Sequence, residues 1–336
     1  MKIIFLGTGA AVPSKNRNHI GIAFKFKSEV FLFDCGENIQ RQMLFTEVSP
    51  MKISHIFITH LHGDHILGLP GLLQSLGFFG RDKEINIYGP VGLREVIESS
   101  LKLGYHIIEY PIKVYEISAK EPLKILQCED YEIIAYPTKH SVPSYAYIFR
   151  EIKKPRLDLE KVKKLKIKIG PDLKKLKNGE PVKNIYGEII KPEEVLLPPK
   201  KGFCLAYSGD TLPLEDFGKY LNELECDVLI HEATFDDSEK EIAKENMHST
   251  IGDAVNIAKL ANVKALILTH ISARYDKEEY FNQYKKNVKQ YNENFEIIIS
   301  NDLDSYDVKD LLRWKNENIN IGRNWRPRIW FSFKVS

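Results

Sequence analysis

The stretch Thr59-His60-Leu61-His62-Gly63-Asp64-His65 directly follows an apolar run, residues 53–58, whose β-branched and aromatic side chains predict a buried strand. Three of the ten histidines of the chain lie within these seven residues. Neutral imidazoles and a carboxylate suit zinc, and a glycine-containing turn after a strand lets residues two and four apart converge on one point. The stretch therefore predicts a metal site at the end of a strand.

Length and composition limit the possible folds and the cellular location of the protein. At 336 residues the chain is long enough for one large α/β domain or two smaller ones. Its four cysteines are far apart and form no C-x-x-C pair, so we expect buried free thiols and no structural zinc site. The apolar run at the N-terminus is too short for a signal peptide or a membrane span. We therefore expect a cytoplasmic protein that does not enter a membrane.

Polar residues recur where predicted strands end. In layered α/β folds the loops at that edge converge while the sheet stays rigid, so we expect these residues to share one site. Helices are predicted over residues 67–79 and from Pro90, which is expected to open a helix through Leu101. Ser249 or Thr250 is the expected N-cap of a later helix. The polar strand ends are Asp34-Cys35-Gly36-Glu37, the opening stretch, Thr138-Lys139-His140-Ser141, Ser208-Gly209-Asp210-Thr211, His231-Glu232 and Thr269-His270.

The candidate metal ligands are too many for one tetrahedral zinc and are the right number for two, if one carboxylate bridges. Two metals roughly 3.5–4 Å apart acidify a shared water and stabilise an in-line phosphoryl displacement, so hydrolysis is the predicted chemistry. We expect two Zn²⁺ per subunit, with Mn²⁺ as the alternative. The assignment is His60, His62 and His140 to one metal, Asp64, His65 and His270 to the other, and Asp210 to both.

Residues 150–200 differ from the rest in charge. Residues 151–200 carry a net charge of +6, against −4 for the remainder of the chain, and residues 161–177 hold eight lysines and one aspartate. The segment has too few large apolar residues to predict a core of its own. A solvated charged face is one interpretation, and a mobile arm that binds a polyanion through its phosphates is the other.

Two further segments each allow two interpretations from the sequence. The loop over residues 7–18 is either a surface turn or a phosphate-binding loop. The tail over residues 309–336 contains all three tryptophans, interleaved with arginines. It either docks on the surface of the protein or stacks on nucleobases.

The motifs together resemble the metallo-β-lactamase superfamily and, within it, the tRNase Z family of tRNA 3′-processing endoribonucleases. The resemblance covers residues 1 to about 308. It departs at Asn38-Ile39, where the family usually has Gly-Thr, and in the tail. The motifs that carry it are residues 5–14, the PxKxRN loop at 13–18, residues 34–37 with Gln40-Arg41, Gly170-Pro171, residues 231–234 and 248–250, and Arg274-Tyr275.

The resemblance implies a four-layer αβ/βα metallo-β-lactamase sandwich with a protruding basic arm. Residues 1–308 would be the catalytic domain with the arm inserted at about 150–200, and 309–336 a tail of unknown role. The short form of the family is a homodimer whose arm clamps precursor tRNA while the adjoining subunit cuts after the discriminator nucleotide, leaving a 3′-hydroxyl. The PxKxRN loop would sense the 3′ end.

The residues implied in RNA binding lie in the loop, the arm and the segment after His270. They are Lys15, Arg17, Asn18, Arg41, Lys161, Lys163, Lys164, Lys166, Lys168, Gly170, Pro171, Lys174, Lys175, Arg274 and Tyr275.

A proton donor is also required, because the ribose oxygen that leaves the phosphate must be protonated. The 3′-hydroxyl product selects the oxygen on the 5′ side of the phosphate. His248 is the expected donor, since its loop opens a helix near the site, and Glu232 would orient it or raise its pKa. Asp64 would hold the proton of the attacking water as well as a metal. The alternative for His248 and Glu232 is a structural hydrogen bond.

Three other functions compete with RNA cleavage. A lactonase or phosphodiesterase of the same superfamily would have no use for a long basic arm. A non-catalytic RNA-binding module is disfavoured because every candidate ligand is present. A redox di-iron protein is disfavoured because no flavin-binding domain is evident.

Overall fold

The computed structural model describes residues 1–102, 108–291 and 293–313. The tryptophan-containing part of the tail, 314–336, lies outside these residues, so the two interpretations of the tail remain predictions. The chain divides into two compact units. The first comprises Met1–Leu123, Ala135–Ile148 and the chain from Leu205 onward, and the second comprises Lys124–Ile134 and Phe149–Cys204.

The strands follow the apolar runs of the sequence closely. In chain order they are β1 (Lys2–Gly7), β2 (Gly9–Ala10), β3 (Gly21–Phe26), β4 (Glu29–Phe33), β5 (Ile53–Phe57), β6 (Ile85–Pro90), β7 (Ile112–Ile117), β8 (Leu123–Gln127), β9 (Tyr131–Pro137), β10 (Tyr145–Glu151), β11 (Arg156–Leu157), β12 (Val182–Lys183), β13 (Ile189–Ile190), β14 (Leu196–Leu197), β15 (Cys204–Tyr207), β16 (Val228–Glu232), β17 (Ala265–Thr269), β18 (Ile271–Ser272), β19 (Glu296–Ile299) and β20 (Ser305–Asp307).

The helices are α1 (Ile39–Met43), α2 (Gly63–Ile66), α3 (Leu69–Phe78), α4 (Leu93–Ser100), α5 (Leu159–Lys164), α6 (Pro171–Lys177), α7 (Pro192–Val195), α8 (Glu215–Glu223), α9 (Lys240–Glu245), α10 (Ile251–Ala261), α11 (Glu278–Lys289) and α12 (Val308–Leu311). Short 3₁₀ turns occupy Pro50–Lys52, Asp237–Glu239 and Ala273–Tyr275. Among the described residues, none of these helices has the length and apolar character needed to cross a bilayer.

Two seven-stranded sheets form the framework. The first has the strand order β20-β1-β3-β4-β5-β6-β7, antiparallel from β20 to β4 and parallel from β4 to β7. The second has the order β19-β17-β16-β15-β10-β9-β8, with parallel pairing from β15 to β19. Because parallel strands end at the same edge, β15, β16 and β17 bring their following loops together.

Aromatic side chains fill the space between the sheets. Phe57 of β5 lies 5.3 Å from Tyr147 of β10, and Phe33 of β4 lies 6.2 Å from Tyr207 of β15, measured between ring centroids. The hydroxyl of Tyr147 also donates to the carbonyl of Ile58 at 2.7 Å. The opposite face of the first sheet is aliphatic and is covered by helices α1, α3 and α4. Helices therefore cover the outer face of the first sheet, and the two sheets form the predicted α/β sandwich.

The structure differs from the predicted helices mainly in where they begin and end. Pro90 does not open a helix: it ends β6, and α4 begins only after Gly92, whose φ of +100° makes the turn. The opening stretch does not stay a turn, because Gly63–Ile66 forms one helical turn, and the predicted helix over 67–79 is shortened to Leu69–Phe78. Thr250 is the N-cap of α10, in a capping box with Asp253.

The lysine-rich segment is folded and has a small core, which corrects the expectation that it had too few apolar residues. Its helices α5 and α6 and its short hairpins bury one cluster of aliphatic side chains. Asp158 caps α5 by accepting hydrogen bonds from the backbone N–H groups of Glu160 and Lys161. The buried cluster consists of Val162, Ile167, Leu176, Val182, Ile190 and Val195.

Candidate metal centre

All seven predicted metal ligands lie together in the first unit. They come from the segments that follow β5, β9, β15 and β17, with Asp64 and His65 in α2, and their ligand atoms form overlapping groups within 4.8 Å of one another. Four of the seven are almost completely buried: His60, His65, Asp210 and His270. Asp210 and His270 meet because the parallel strands β15 and β17 end at the same edge of the second sheet.

The first group contains three histidines. Nδ1 of His62 lies 3.0 Å from Nε2 of His60 and 3.2 Å from Nε2 of His140. Three imidazole nitrogens therefore face one point. This arrangement suits a cation bound by neutral imidazoles.

The second group contains Asp64, His65 and His270. Nε2 of His270 lies 3.3 Å from Nε2 of His65 and 3.4 Å from Oδ2 of Asp64. The separation between Nε2 of His65 and Oδ2 of Asp64 is 3.6 Å. Two nitrogens and one carboxylate oxygen thus converge on a second point.

Asp210 lies against both groups. Its Oδ2 is 3.7 Å from Nε2 of His60, 3.4 Å from Nε2 of His65 and 3.3 Å from Nε2 of His270. Its Oδ1 is buried and, among the residues that the structure describes, has no hydrogen-bond partner. A buried carboxylate oxygen without a partner is costly unless it binds a cation, so this residue fits a divalent metal.

Buried polar groups orient the histidines. Oδ2 of Asp34 lies 2.8 Å from Nδ1 of His65, and Asp34 is itself held by the N–H of Thr59 and the hydroxyl of Tyr207, both at 2.8 Å. The carboxylate therefore fixes which nitrogen of His65 faces the site. The sequence places Asp34 and Thr59 at polar strand ends that share the site but predicts no role for either, and it does not single out Tyr207. An acid at a strand end beside a histidine cluster is the signal that could have assigned Asp34 the role of orienting a ligand.

Two further hydrogen bonds orient the rings of His140 and His270. Nδ1 of His140 donates to the carbonyl of Met247 at 3.0 Å, which turns Nε2 toward the site. The hydroxyl of Thr234 lies 2.9 Å from Nδ1 of His270. In each ring one nitrogen is held by the protein, and the other faces the candidate metal position.

The electrostatics match this donor set. Burial lowers the pKa of His60 and His62, which keeps these imidazoles neutral. Burial also opposes ionisation of Asp210, but His270 and His65 hold the pKa of its carboxyl well below the usual range. Burial of His65 by itself would lower its pKa, but the carboxylates of Asp210 and Asp34 outweigh burial and raise it. The carboxylates thus attract positive charge, which a divalent cation would supply.

His248 and Glu232 form a pair beside the ligands. Nδ1 of His248 lies 2.9 Å from Oε1 of Glu232 and 3.9 Å from Oδ2 of Asp210. Burial opposes a charge on His248, but the Glu232 carboxylate outweighs it and raises the pKa of His248 to about 9. Glu232 is fully buried and is fixed by the hydroxyl of Thr234 at 2.6 Å. The pair can hold a proton next to the metal ligands.

The predicted RNA-binding loop has one exposed cation and one buried cation. Lys15 is exposed and Asn18 is half-buried. The guanidinium of Arg17, however, is inside the protein, where it donates to the hydroxyl of Thr8 at 2.6 Å and to the carbonyl of Ser300 at 2.8 Å. Arg17 therefore anchors the loop, and we correct the expectation that this side chain reaches RNA.

The other predicted RNA contacts differ in accessibility. Arg41 is exposed, with its guanidinium 5.0 Å from the centre of the Phe45 ring. Arg274 is exposed and pairs with Glu239, whereas Tyr275 is buried and donates its hydroxyl to the same carboxylate. Tyr275 is thus a structural residue. The arm residues Lys161, Lys163, Lys164, Lys166, Lys168, Gly170, Pro171, Lys174 and Lys175 are all exposed.

Solved structures identify the class of protein. The chain superposes on human tRNase Z, short form, with a TM-score of 0.65 and 28% identity, covering 92% of this chain and 99% of that one. It also superposes on the metallo-β-lactamase fold protein YhfI from Bacillus subtilis, with a TM-score of 0.62, 20% identity, and coverage of 91% and 98%. The chain therefore has the metallo-β-lactamase fold, whose members bind divalent metals.

Sequence relatives give the family. The family described as Anti-Pycsar protein Apyc1 matches residues 1–155. The ribonuclease Z of Methanocaldococcus jannaschii is 84% identical over 313 residues, which cover 93% of this chain and 99% of that protein. The ribonuclease Z of Methanococcus aeolicus is 59% identical over 316 residues, covering 92% and 98%. The chain belongs to the ribonuclease Z family of hydrolytic endoribonucleases.

Proposed function

We propose that this protein is a zinc-dependent endoribonuclease that removes the 3′ trailer from precursor tRNA. It would hydrolyse the phosphodiester after the discriminator nucleotide and leave a 3′-hydroxyl on the tRNA. The observation that carries the proposal is the pair of ligand groups joined by Asp210, with His248 and Glu232 beside them. Relatives named ribonuclease Z and tRNase Z support the choice of substrate.

The metal assignment follows the two groups. His60, His62 and His140 would hold one Zn²⁺, and Asp64, His65 and His270 the other, with Asp210 shared. Imidazole and carboxylate donors suit zinc and also accept Mn²⁺. When bound, the metals supply Lewis acidity, which activates water and neutralises the negative charge of the phosphate.

The side chains of the protein handle the protons. Water attacks the phosphorus, the bond from phosphorus to the ribose 3′-oxygen breaks, and that oxygen needs a proton. His248 would donate it, because Glu232 keeps the imidazole charged and holds Nδ1, which leaves Nε2 for the substrate. The carboxylate of Asp64 would accept a hydrogen bond from the attacking water.

The arm would bind the body of the tRNA. Its seven predicted lysines are exposed, and they lie on a folded unit with its own small core. A dense array of Lys neutralises backbone phosphates without reading sequence. We place the exposed Lys15 and the half-buried Asn18 of the PxKxRN loop at the 3′ end of the RNA.

A second copy of the chain would complete the enzyme as a homodimer. Helices α1 and α3 are neighbours, since a Cβ on Gly71 would lie 3.2 Å from Nε2 of Gln40. The large apolar side chains Leu44 and Phe78 are 75% and 82% exposed. Exposed apolar side chains of this kind suit a two-fold interface with a second copy of the chain. Sedimentation equilibrium should show twice the chain mass, and a monomer would remove this part of the proposal.

We also propose that the enzyme acts in the cytoplasm. All four cysteines are free, as is usual in a reducing compartment. The test is fractionation of cells that express the tagged protein. Recovery of the protein in the membrane or secreted fraction would contradict this proposal.

Mapping the cut is the direct test of the reaction. Purified protein is incubated with zinc and a precursor tRNA labelled at its 5′ end, and the product ends are sequenced. A single cut next to the discriminator base, with a 3′-hydroxyl on the tRNA, is the expected result. An intact precursor in the presence of bound zinc would refute the tRNA-processing function.

A further inference from the structure

A groove of about 440 Å³ lies beside the metal centre and has no part in the reaction described above. It lies wholly in the first unit. One wall is residues 136–139, directly before the ligand His140, and the other is residues 213–216, shortly after the ligand Asp210. The lining includes Tyr136, Lys139, Pro213, Leu214, Glu215 and Asp216.

Hydrogen bonds connect the groove to the proposed proton donor. The N–H of Lys139 donates to the hydroxyl of Thr211 at 3.2 Å, and the N–H of Leu212 donates to the carbonyl of Lys139 at 2.9 Å. The N–H of Thr211 donates to Oε1 of Glu232 at 2.8 Å, the same oxygen that holds His248. These hydrogen bonds link both walls of the groove to the carboxylate that holds His248.

The lining suits a planar aromatic ring with hydrogen-bond donors at its edge. The ring of Tyr136 is supported by Phe217 at 4.8 Å and Tyr220 at 5.4 Å, measured between centroids. A ring held in this way is a stacking surface for a base. The exposed carboxylates of Glu215 and Asp216 can accept hydrogen bonds from base amino groups, and Oδ1 of Asp216 also accepts one from Nζ of Lys219 at 3.0 Å.

We propose that this groove binds the base of the nucleotide on the 5′ side of the scissile phosphate, with Tyr136 stacking on it and Glu215 and Asp216 accepting from its edge. The inference rests on the proposed function, because the 3′-oxygen of that nucleotide is the group that His248 would protonate. Adenine, cytosine and guanine carry an exocyclic amino group and uracil does not, so the acidic wall favours the first three bases.

The test compares four precursor tRNAs that differ only in this base, with KM and kcat measured separately. The wild-type protein should cleave all four and show the highest KM for uracil. Tyr136→Ala should raise KM about tenfold for every precursor, and Tyr136→Phe should restore it. Glu215→Gln should narrow the difference between uracil and the other bases. Hydrolysis of bis(p-nitrophenyl) phosphate reports whether Tyr136→Ala is folded.

Glu223→Gln, at the other end of α8, is the matched control and should behave as the wild type. Failure of the wild-type protein to cut any precursor overturns the proposed function and this inference with it. Normal cutting with an unchanged KM in Tyr136→Ala and an unchanged base preference in Glu215→Gln overturns the inference alone. Because Glu215 is exposed, its substitution tests the site without disturbing the core.

Discussion

The metal centre and the lysine-rich arm use charged and polar residues in opposite ways. The centre gathers seven side chains from residues 60 to 270, buries four of them almost completely, and orients its rings through groups such as Asp34 and Thr234. The arm places seven lysines within residues 161–175 and leaves them all exposed. Bond-breaking requires fixed atoms, whereas binding a polyanion requires only a density of charge.

The comparison predicts that a change in the centre stops hydrolysis of every substrate. Asp210→Asn removes the carboxylate shared by both ligand groups, so we expect a loss of about ten-thousandfold in kcat for precursor tRNA and for a small phosphodiester alike. Metal content, measured by mass spectrometry, should fall as well. Full activity with a normal metal content would show that Asp210 is not a ligand.

The next effect separates proton transfer from metal binding. His248→Ala should lower the cleavage rate about a thousandfold, because the leaving 3′-oxygen then has no donor. Metal content should stay at the wild-type value, since the proposed ligand groups are intact. Unchanged cleavage would remove His248 from the mechanism, and loss of metal would make it a ligand.

A smaller loss of activity is expected when the substituted residue holds a ligand but is not itself a ligand. Asp34→Asn keeps the volume of the side chain but weakens its hold on Nδ1 of His65, so metal affinity should fall by about 10- to 100-fold. Titration with zinc should restore most of the activity, which distinguishes this variant from Asp210→Asn. An affinity equal to that of the wild type would limit Asp34 to supporting the fold.

The smallest effect lies in the arm and depends on the substrate. The triple substitution Lys161→Glu, Lys163→Glu and Lys164→Glu should raise KM for precursor tRNA about tenfold and flatten its salt dependence. Hydrolysis of bis(p-nitrophenyl) phosphate should not change. The control is Lys286→Glu with Lys289→Glu, two exposed lysines of α11. Equal effects of the two variants on tRNA would refute a special role for the arm.

Features that depend on neighbouring residues could be predicted from the sequence, and features that depend on residues far apart in the chain could not. The histidines of the opening stretch were recognisable because close spacing after a buried strand is a local pattern. The roles of Asp34 and Tyr207 were not, because their hydrogen bonds join residues 31 and 173 positions apart. Arg17 was misjudged for the same reason: the carbonyl of Ser300, 283 residues away, helps to bury its guanidinium.

The sequence by itself determined the strands, the chemical types of the metal ligands and the segregation of basic charge into one segment, because each depends on neighbouring residues. Only the tertiary structure decided that seven distant side chains meet, that the arm has a core, that Arg17 is an anchor, and that a groove adjoins His140 and Asp210. These features depend on the pairing and packing of elements far apart in the chain, and local residue patterns do not encode such contacts directly.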